Sequence, residues 1–426
     1  MKKVLIFTYY WPPAGGVAVQ RFLKFSKFLP EYGWEPIIIT VANGSYPYYD
    51  ESLLSEIDPS VRVYRTKTFE PFEFYNLLRG KKGKAMPVVS VGSQKKPSLF
   101  QRFSEYIRAN YFIPDARVGW AIYAVAQAAA ILQKEKIDAI ITTGPPHSTH
   151  LIGLRLKEKY GLHWIADFRD PWTGIFYNQL LPRTEKTRNK DLALETQVLH
   201  TADCITVISP GMLQEFESRA RKINVILNGY DESDFGSYAQ DQVPAEFTIR
   251  YVGNLMASQN MEAFWKALSR LKSGYTFRLE LIGRVDESVR QSIRQFGLET
   301  LTTYQDFISH AEATRRMQTA HMLLFAIPQV KDNHLILTGK LFEYLASCSE
   351  IISFGPTNGN AAAILQQTGR KPMLEFNDDN SAQQQLEEAL LYYSNHHAAF
   401  KYTTDAHKAY SRKQQAGQLA ALLAGS

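Results

Sequence analysis

Gly15-Gly16 follows a strand-like run, Val4-Leu5-Ile6-Phe7, through the turn Tyr9-Tyr10-Trp11-Pro12-Pro13-Ala14. A glycine pair between a buried strand and a helix lets backbone N–H groups approach an anion at the positive end of that helix. Far downstream, Thr338-Gly339-Lys340-Leu341-Phe342-Glu343-Tyr344-Leu345 reads as a helix start carrying one acid. The helix dipole there favours a diphosphate beside Gly339, Lys340 and Leu341, and the Lys340 ammonium adds charge. Glu343 can accept two hydrogen bonds from ribose hydroxyls. Together the two segments imply an activated sugar, a nucleotide-sugar, held between two domains.

Further candidates sit at strand ends. In Trp164-Ile165-Ala166-Asp167-Phe168-Arg169-Asp170-Pro171-Trp172, acids and a base follow a buried strand, where open α/β sheets bind ligands. Asp170 is a candidate to interact with an acceptor hydroxyl and Arg169 to orient it. The competing reading is a structural Asp–Arg pair that stiffens a loop. In Gly144-Pro145-Pro146-His147-Ser148-Thr149-His150, Ser148 can cap the coming helix. His147 and His150 are three apart and can share a face, but no third ligand accompanies them, so no metal site is expected and His147 reads as a pocket wall. Two later strands end in glycine, at Gly253-Asn254 and at Gly283-Arg284. Arg284 can pair with a diphosphate or make a surface ion pair. Gly355-Pro356-Thr357-Asn358-Gly359-Asn360-Ala361 is rich in turn formers and precedes a helix. The glycine fingerprints of dinucleotide and P-loop sites are absent, which argues against a nicotinamide cofactor and P-loop ATP hydrolysis.

Alternating elements must position these residues. Continuous apolar runs predict strands over Lys3–Thr8, Glu35–Thr40, Val61–Tyr64, Asp138–Thr142, His163–Asp167, Cys204–Ile208 and Asn224–Leu227. Helices are expected over Val17–Tyr32, Val118–Lys134, Ser148–Tyr160, Arg188–Thr201 and Pro210–Arg219. After a polar linker, Asp231–Pro244, the pattern restarts with strands Thr248–Val252, Phe277–Ile282, Met322–Ala326 and Ile351–Phe354. Helices Met261–Leu271, Glu287–Phe296, Ala311–Gln318, Gly339–Ala346 and Ala382–Ser394 accompany them. In Met261–Leu271 the apolar residues fall on one face at a 3.6-residue period. The series is α/β: two Rossmann-like domains, each a parallel sheet flanked by helices.

Composition sets the outer bounds. A chain of 426 residues suits two domains, and 45% hydrophobic with 21% charged residues suits a folded soluble protein. Its 2 cysteines, Cys204 and Cys348, form no CxxC pair, so a reducing, cytoplasmic setting is expected. No secretory signal or membrane-spanning run is read. The net charge of +6 is uneven. Arg79-Gly80-Lys81-Lys82-Gly83-Lys84, Lys95-Lys96, Arg102 and Arg108 make a cationic region within an irregular, aromatic-rich insert, Pro71–Arg108. The aromatic residues that follow it read first as packing against the domain core, and the alternative is peripheral contact with an anionic membrane face. No nucleic-acid signature is present, and no nucleic-acid partner is expected.

In order and spacing these pieces resemble a GT-B glycosyltransferase of the large retaining family often called family 4. The residues that carry the resemblance are Pro12-Pro13-Ala14-Gly15-Gly16, Asp167–Trp172, Val207-Ile208-Ser209-Pro210-Gly211, Asn228-Gly229-Tyr230-Asp231, Tyr251-Val252-Gly253 and Gly339–Leu345. The resemblance implies a cleft between an acceptor-side domain, residues 1–235, and a nucleotide-sugar domain, residues 246–398. It also implies a last helix, within 400–426, that returns to the first domain. Glu343 then takes the place of the ribose acid, and Gly16 that of the glycine near the donor phosphate. Gly15, Gly253, Asn254, Arg284, Lys340 and Leu341 complete the expected donor contacts. Neither metal nor cofactor is required, and the acceptor is a glycan or a lipid-linked sugar. Three positions depart from the pattern: Leu335 replaces an acid, Asn254 an arginine and Gln259 a lysine. Asp170 or Arg169 stands where many members carry histidine. The lost cations raise an alternative, a non-catalytic partner that keeps the fold, and a sugar-nucleotide epimerase is a third reading.

Overall fold

The structure is a computed structural model that describes residues 1–69, 99–175, 178, 180–236 and 243–425. The cationic run Arg79–Lys96 lies outside the described residues, as does most of the insert that holds it. Among the described residues no helix is long and apolar enough to cross a membrane.

The chain divides into two compact units, Met1–Leu227 with Gln415–Ser426, and Asn228–Gln414. The first holds strands β1 (Lys2–Phe7), β2 (Trp34–Val41), β3 (Arg62–Thr66), β4 (Ala139–Gly144), β5 (His163–Phe168), β6 (Cys204–Val207) and β7 (Ile223–Val225). All pair in parallel, in the order β3-β2-β1-β4-β5-β6-β7. Val4–Phe7 and Ala139–Ile141 are fully buried, as continuous apolar strands covered on both faces should be. The order reverses between β1 and β4, so the loops after these strands diverge there and leave room for a ligand.

Helix α1 (Val17–Phe28) turns Val19, Phe22, Leu23 and Phe25 into the core. It stops short of the expected Tyr32, because Pro30 has no N–H to continue the ladder. The chain runs on as a single-turn 3₁₀ segment, Leu29–Tyr32, closed by Gly33 at φ 82°. The remaining helices are α2 (Leu99–Tyr111), α3 (Trp120–Leu132), α4 (His150–Tyr160), α5 (Glu185–Thr201) and α6 (Pro210–Phe216). The final helix of the chain, Arg412–Leu423, sends Ala416, Leu419, Ala420 and Leu423 into this same core.

The second unit is a five-stranded parallel sheet: β8 (Phe247–Val252), β9 (Phe277–Ile282), β10 (Thr302–Gln305), β11 (Met322–Ala326) and β12 (Glu350–Phe354). Its order is β10-β9-β8-β11-β12, with the reversal between β8 and β11. The sequence pattern missed β10. Thr-Thr-Tyr-Gln has no apolar run, and it forms a strand only because the edge of β9 offers it a partner. Helix α7 (Glu262–Leu271) buries Phe264, Trp265, Leu268 and Leu271, and the Trp265 indole N–H is satisfied by Asn260 at 2.8 Å. The helices α8 (Glu287–Gln295), α9 (His310–Gln318), α10 (Gly339–Ala346), α11 (Asn360–Gln367) and α12 (Asp379–His396) complete the unit. Asp231, placed in a linker on sequence, is buried, and its neighbour Tyr230 bridges to Ser411 within this unit.

Candidate active site

In the second unit the site is built where β8 and β9 end. Both strands leave the sheet through glycines with positive φ, Gly253 at 118° and Gly283 at 113°. A Cβ on Gly283 would lie 2.5 Å from the Gly253 carbonyl oxygen, so the two strand ends approach only as glycines. Their N–H groups stay within the sheet, Gly253 to Ile282 at 2.7 Å and Gly283 to Gln305 at 2.8 Å. What they offer a ligand is therefore space rather than hydrogen bonds.

Lys340 fills the space beside Gly253. Its Nζ lies 3.8 Å from the Tyr251 ring centroid, and a Cβ on Gly253 would come within 2.9 Å of it. Among the described residues it has neither an ion pair nor a hydrogen-bond acceptor. Desolvation pulls its pKa down to about 7, with Glu343 pulling the other way. Lys340 and Glu343 are three apart on α10 and share a face. The Glu343 carboxylate likewise has no hydrogen-bond partner among the described residues. Burial raises its pKa, while His310, Lys340 and Arg412 oppose the rise and Asp234 adds to it. The Asp234–His310 pair, 3.3 Å apart, thus faces the acid. Thr338 at the helix start makes no capping bond, and its hydroxyl is buried and unpartnered. The first N–H groups of a helix have no intrahelical acceptor, and at the start of α10 the Thr338 side chain does not supply one.

Other expected donor contacts behave differently. The Leu341 side chain is fully buried and its N–H turns back to Thr338 O at 3.2 Å, so it is a packing residue. Asn254 is exposed, and its carbonyl accepts from the Tyr251 hydroxyl at 2.8 Å. Gln259 is buried: its amide donates to Ala326 O at 2.8 Å and accepts from Met256 N–H at 3.3 Å. It ties the loop after β8 to the end of β11 and offers a ligand nothing. Arg284 is exposed, makes no ion pair among the described residues, and lies 6.0 Å from the Phe307 ring.

In the first unit Gly15 and Gly16 part company. Gly15 donates its N–H to Tyr48 O at 3.0 Å, and a Cβ there would lie 2.3 Å from the Tyr48 ring. It is a packing glycine, against the expectation of an anion contact. Gly16, at φ 90° with nothing within 4 Å of its Cβ position, opens α1 on free space.

The segment after β5 is also divided. Asp167 is buried and accepts from Arg21 at 2.8 Å, Thr143 at 2.9 Å and Thr206 at 2.8 Å. Its ionic partner is thus Arg21 of α1, rather than the neighbouring Arg169. The one signal in the sequence was an arginine on the apolar face of α1. Arg169 donates to Thr143 Oγ1 at 3.1 Å, to Ala18 O at 3.0 Å and to Pro145 O. Each of its three donor nitrogens is engaged, so it braces the start of α1 and the end of β4 with its following loop instead of orienting a ligand. Asp170, half-buried, has no partner among the described residues. Burial raises its pKa and Arg169 restrains the rise.

Beside it His147 stacks on Trp172, with centroids 5.3 Å apart, and His150 on Phe168 at 4.3 Å. Desolvation depresses both imidazoles, His150 to about 3, so both are neutral walls. Among the described residues no group of three His, Cys, Asp or Glu could hold a metal ion. Ser148 does not cap the helix as expected. Instead its N–H and hydroxyl both donate to Asp115, at 2.9 and 2.8 Å. A shallow concavity of about 330 Å³ lies around Gln133, Lys136 and Tyr160 and carries none of this chemistry.

The family model for Glycosyltransferase Family 4 matches residues 14–234, just over half of the chain. The chain belongs to glycosyltransferase family 4. No curated protein matches this glycosyltransferase by sequence. Its fold is similar to that of Anabaena HepE, solved in complex with UDP, at TM-score 0.60 and 13% identity over 100% of both chains. It is also similar to a glycosyltransferase from Rickettsia africae, at 0.58 and 13% over 100% and 98%. Sucrose-phosphate synthase from Thermosynechococcus elongatus matches at 0.54 and 16% over 99% and 95%. At these identities the likeness shows the fold: two Rossmann-like units of the GT-B type.

Proposed function

We propose that this glycosyltransferase moves a sugar, with retention, from a nucleotide-diphosphate sugar to a glycan or lipid-linked acceptor in cell-surface polysaccharide synthesis. It acts in the cytoplasm, at the inner membrane face. The donor is held mainly by residues 246–398 and the acceptor mainly by residues 1–235. One observation carries the donor assignment. On α10, Lys340 lies beside the glycine end of β8 and the Glu343 carboxylate follows three residues on, and neither has a hydrogen-bond or ion-pair partner among the described residues. Lys340 suits a diphosphate and Glu343 the two hydroxyls of a ribose. Charge that builds on the departing phosphate is stabilised where Lys340 and the helix dipole already point. In a retaining transfer that phosphate helps take the acceptor proton, and the free Asp170 carboxylate interacts with the acceptor hydroxyl.

UDP in the HepE complex makes a UDP-sugar the first donor to try. Thermal shift and transfer assays with UDP-, GDP- and dTDP-sugars test the reading, with Glu343→Ala and Lys340→Ala alongside. Nucleotide binding that both variants weaken is expected. Absence of binding at millimolar donor would sink it. The second reading, a non-catalytic partner, is favoured by Asn254 and Gln259, which leave the loop after β8 without a cation. Turnover with any donor excludes it.

A further inference from the structure

Strand β8 parts from one neighbour before it ends. It pairs with β11 at Ile249 and Arg250, against Met322 and Leu323, and then runs on to Val252. The Val252 N–H is taken by the Tyr344 hydroxyl of α10, at 2.9 Å. That bond ties α10 to the end of β8. Lys340 lies four residues before Tyr344, about one helical turn, so the two share a face of α10. The Lys340 side chain crosses over Gly253, where a Cβ would come within 2.9 Å of Nζ and 3.1 Å of Cε. Tyr251, two residues earlier, faces the same side of the strand. Nζ lies 3.8 Å from its ring centroid. The order Tyr251-Val252-Gly253 thus sets an aromatic face beside a gap that any larger residue would close.

The ring is held in place. Tyr251 is fully buried, and its hydroxyl donates to Asn254 O at 2.8 Å. Burial raises the pKa of that hydroxyl, so it stays neutral. Among the described residues no carboxylate lies within ion-pair distance of Lys340, and the ring face is what its ammonium touches. A carboxylate there would claim the charge and compete with a diphosphate for its donors. An aromatic face attracts the cation through its quadrupole and leaves the three ammonium N–H groups to a ligand. Desolvation pulls the Lys340 pKa down to about 7, and Glu343 on the same helix opposes the fall. The ring face opposes it as well.

We propose that Tyr251 is a positioning residue of the donor site: its ring seats the Lys340 ammonium beside Gly253, free of any acid, where a diphosphate meets it. This role rests on the donor reading of Lys340. The cation that Asn254 and Gln259 do not supply from the loop after β8 then reaches the same strand end from α10.

The test reads Lys340 directly, in the full chain labelled with lysine carrying 13C at Cε. The signal that Lys340→Arg removes belongs to Lys340, which separates it from Lys401, another lysine pulled down to about 7. Its titration midpoint is followed in wild type, in Tyr251→Phe, in Tyr251→Leu, and with trifluorophenylalanine incorporated in place of Tyr251. The fluorinated ring keeps the shape and drains negative charge from the face. Tyr251→Phe is expected to hold the midpoint near the wild-type value. The leucine and the fluorinated ring lower it by about one unit. UDP calorimetry on the same proteins should then show binding about tenfold weaker at pH 8.5 and about twofold weaker at pH 6. A ring that only fills space behaves differently: Tyr251→Leu melts lower, while the fluorinated protein titrates and binds as Tyr251→Phe does. A midpoint that fluorination leaves in place overturns the proposal, as does a loss of UDP affinity equal at both pH values. If Tyr251→Leu folds poorly, the fluorinated ring decides alone. Wild type that binds no UDP fails the donor assignment, and the positioning role falls with it. Wild type that binds UDP with a midpoint indifferent to the ring fails the positioning role alone.

Discussion

Lys340 should make nucleotide binding depend on pH. Free of ligand, its pKa is held at about 7 by desolvation. A diphosphate against Nζ favours the ammonium, so the bound pKa moves up toward the ordinary 10.5. A group whose pKa rises on binding takes up a proton whenever the pH lies between the two values. Affinity for UDP is therefore full below pH 7 and falls about tenfold per pH unit above it, until the bound pKa is reached. Between pH 7 and 9 the loss amounts to about 2 pH units, on the order of 100-fold. The terminal phosphate of UDP titrates near pH 6 and acts below this window. Calorimetry from pH 6.5 to 9.5, in buffers of different ionisation enthalpy, reads both the affinity and the proton uptake. Lys340→Met should bind weakly at every pH with a flat profile, and Lys340→Arg should be flat and tighter at pH 9. A wild-type affinity that does not change between pH 7 and 9, or a Lys340→Met profile with the same slope, refutes the reasoning.

Other consequences are sharper for stability. Asp167→Asn leaves Arg21 buried without its carboxylate, and urea denaturation should show a loss of about 3–5 kcal/mol. Gly283→Ala puts a methyl group 2.5 Å from the Gly253 carbonyl at φ 113°, and should lower stability by about 1–3 kcal/mol and disturb UDP binding with it. Gln259→Lys cannot accept the Met256 N–H, so it should destabilise by about 1–2 kcal/mol without tightening UDP. Asn254→Arg, at an exposed position, should fold normally and tighten UDP several-fold in the same titration.

Much of the architecture was legible because buried parallel strands advertise themselves. Ile37–Ile39 and Met322–Ala326 are apolar without interruption, as are Val4–Phe7 and Ala139–Ile141. The edge strand Thr302–Gln305 was illegible for the converse reason: it is stabilised by its neighbour's open N–H and C=O groups, which leave no mark on its own sequence. The site divides in the same way. Gly16, Lys340 and Glu343 sit where their motifs put them, at helix starts after strand ends, because local chemistry alone selects residues there. Arg169 and Leu341 sat in equally suggestive motifs but have other work. Whether a guanidinium faces a ligand or three carbonyl and hydroxyl oxygens depends on chain segments up to 151 residues away.

The sequence by itself determined the alternation of strands and helices, the glycine-terminated strand ends and the position of each charge along the chain. These follow from periodicity, backbone freedom and helix ends, all of which act over a few residues. Tertiary structure alone decided that Asp167 pairs with Arg21 and that Gln259 holds Ala326. It also decided that Lys340 and Glu343 keep no partner among the described residues. Desolvation and hydrogen-bond competition set those outcomes, and both depend on which distant atoms the folded chain brings within about 3 Å of a polar group.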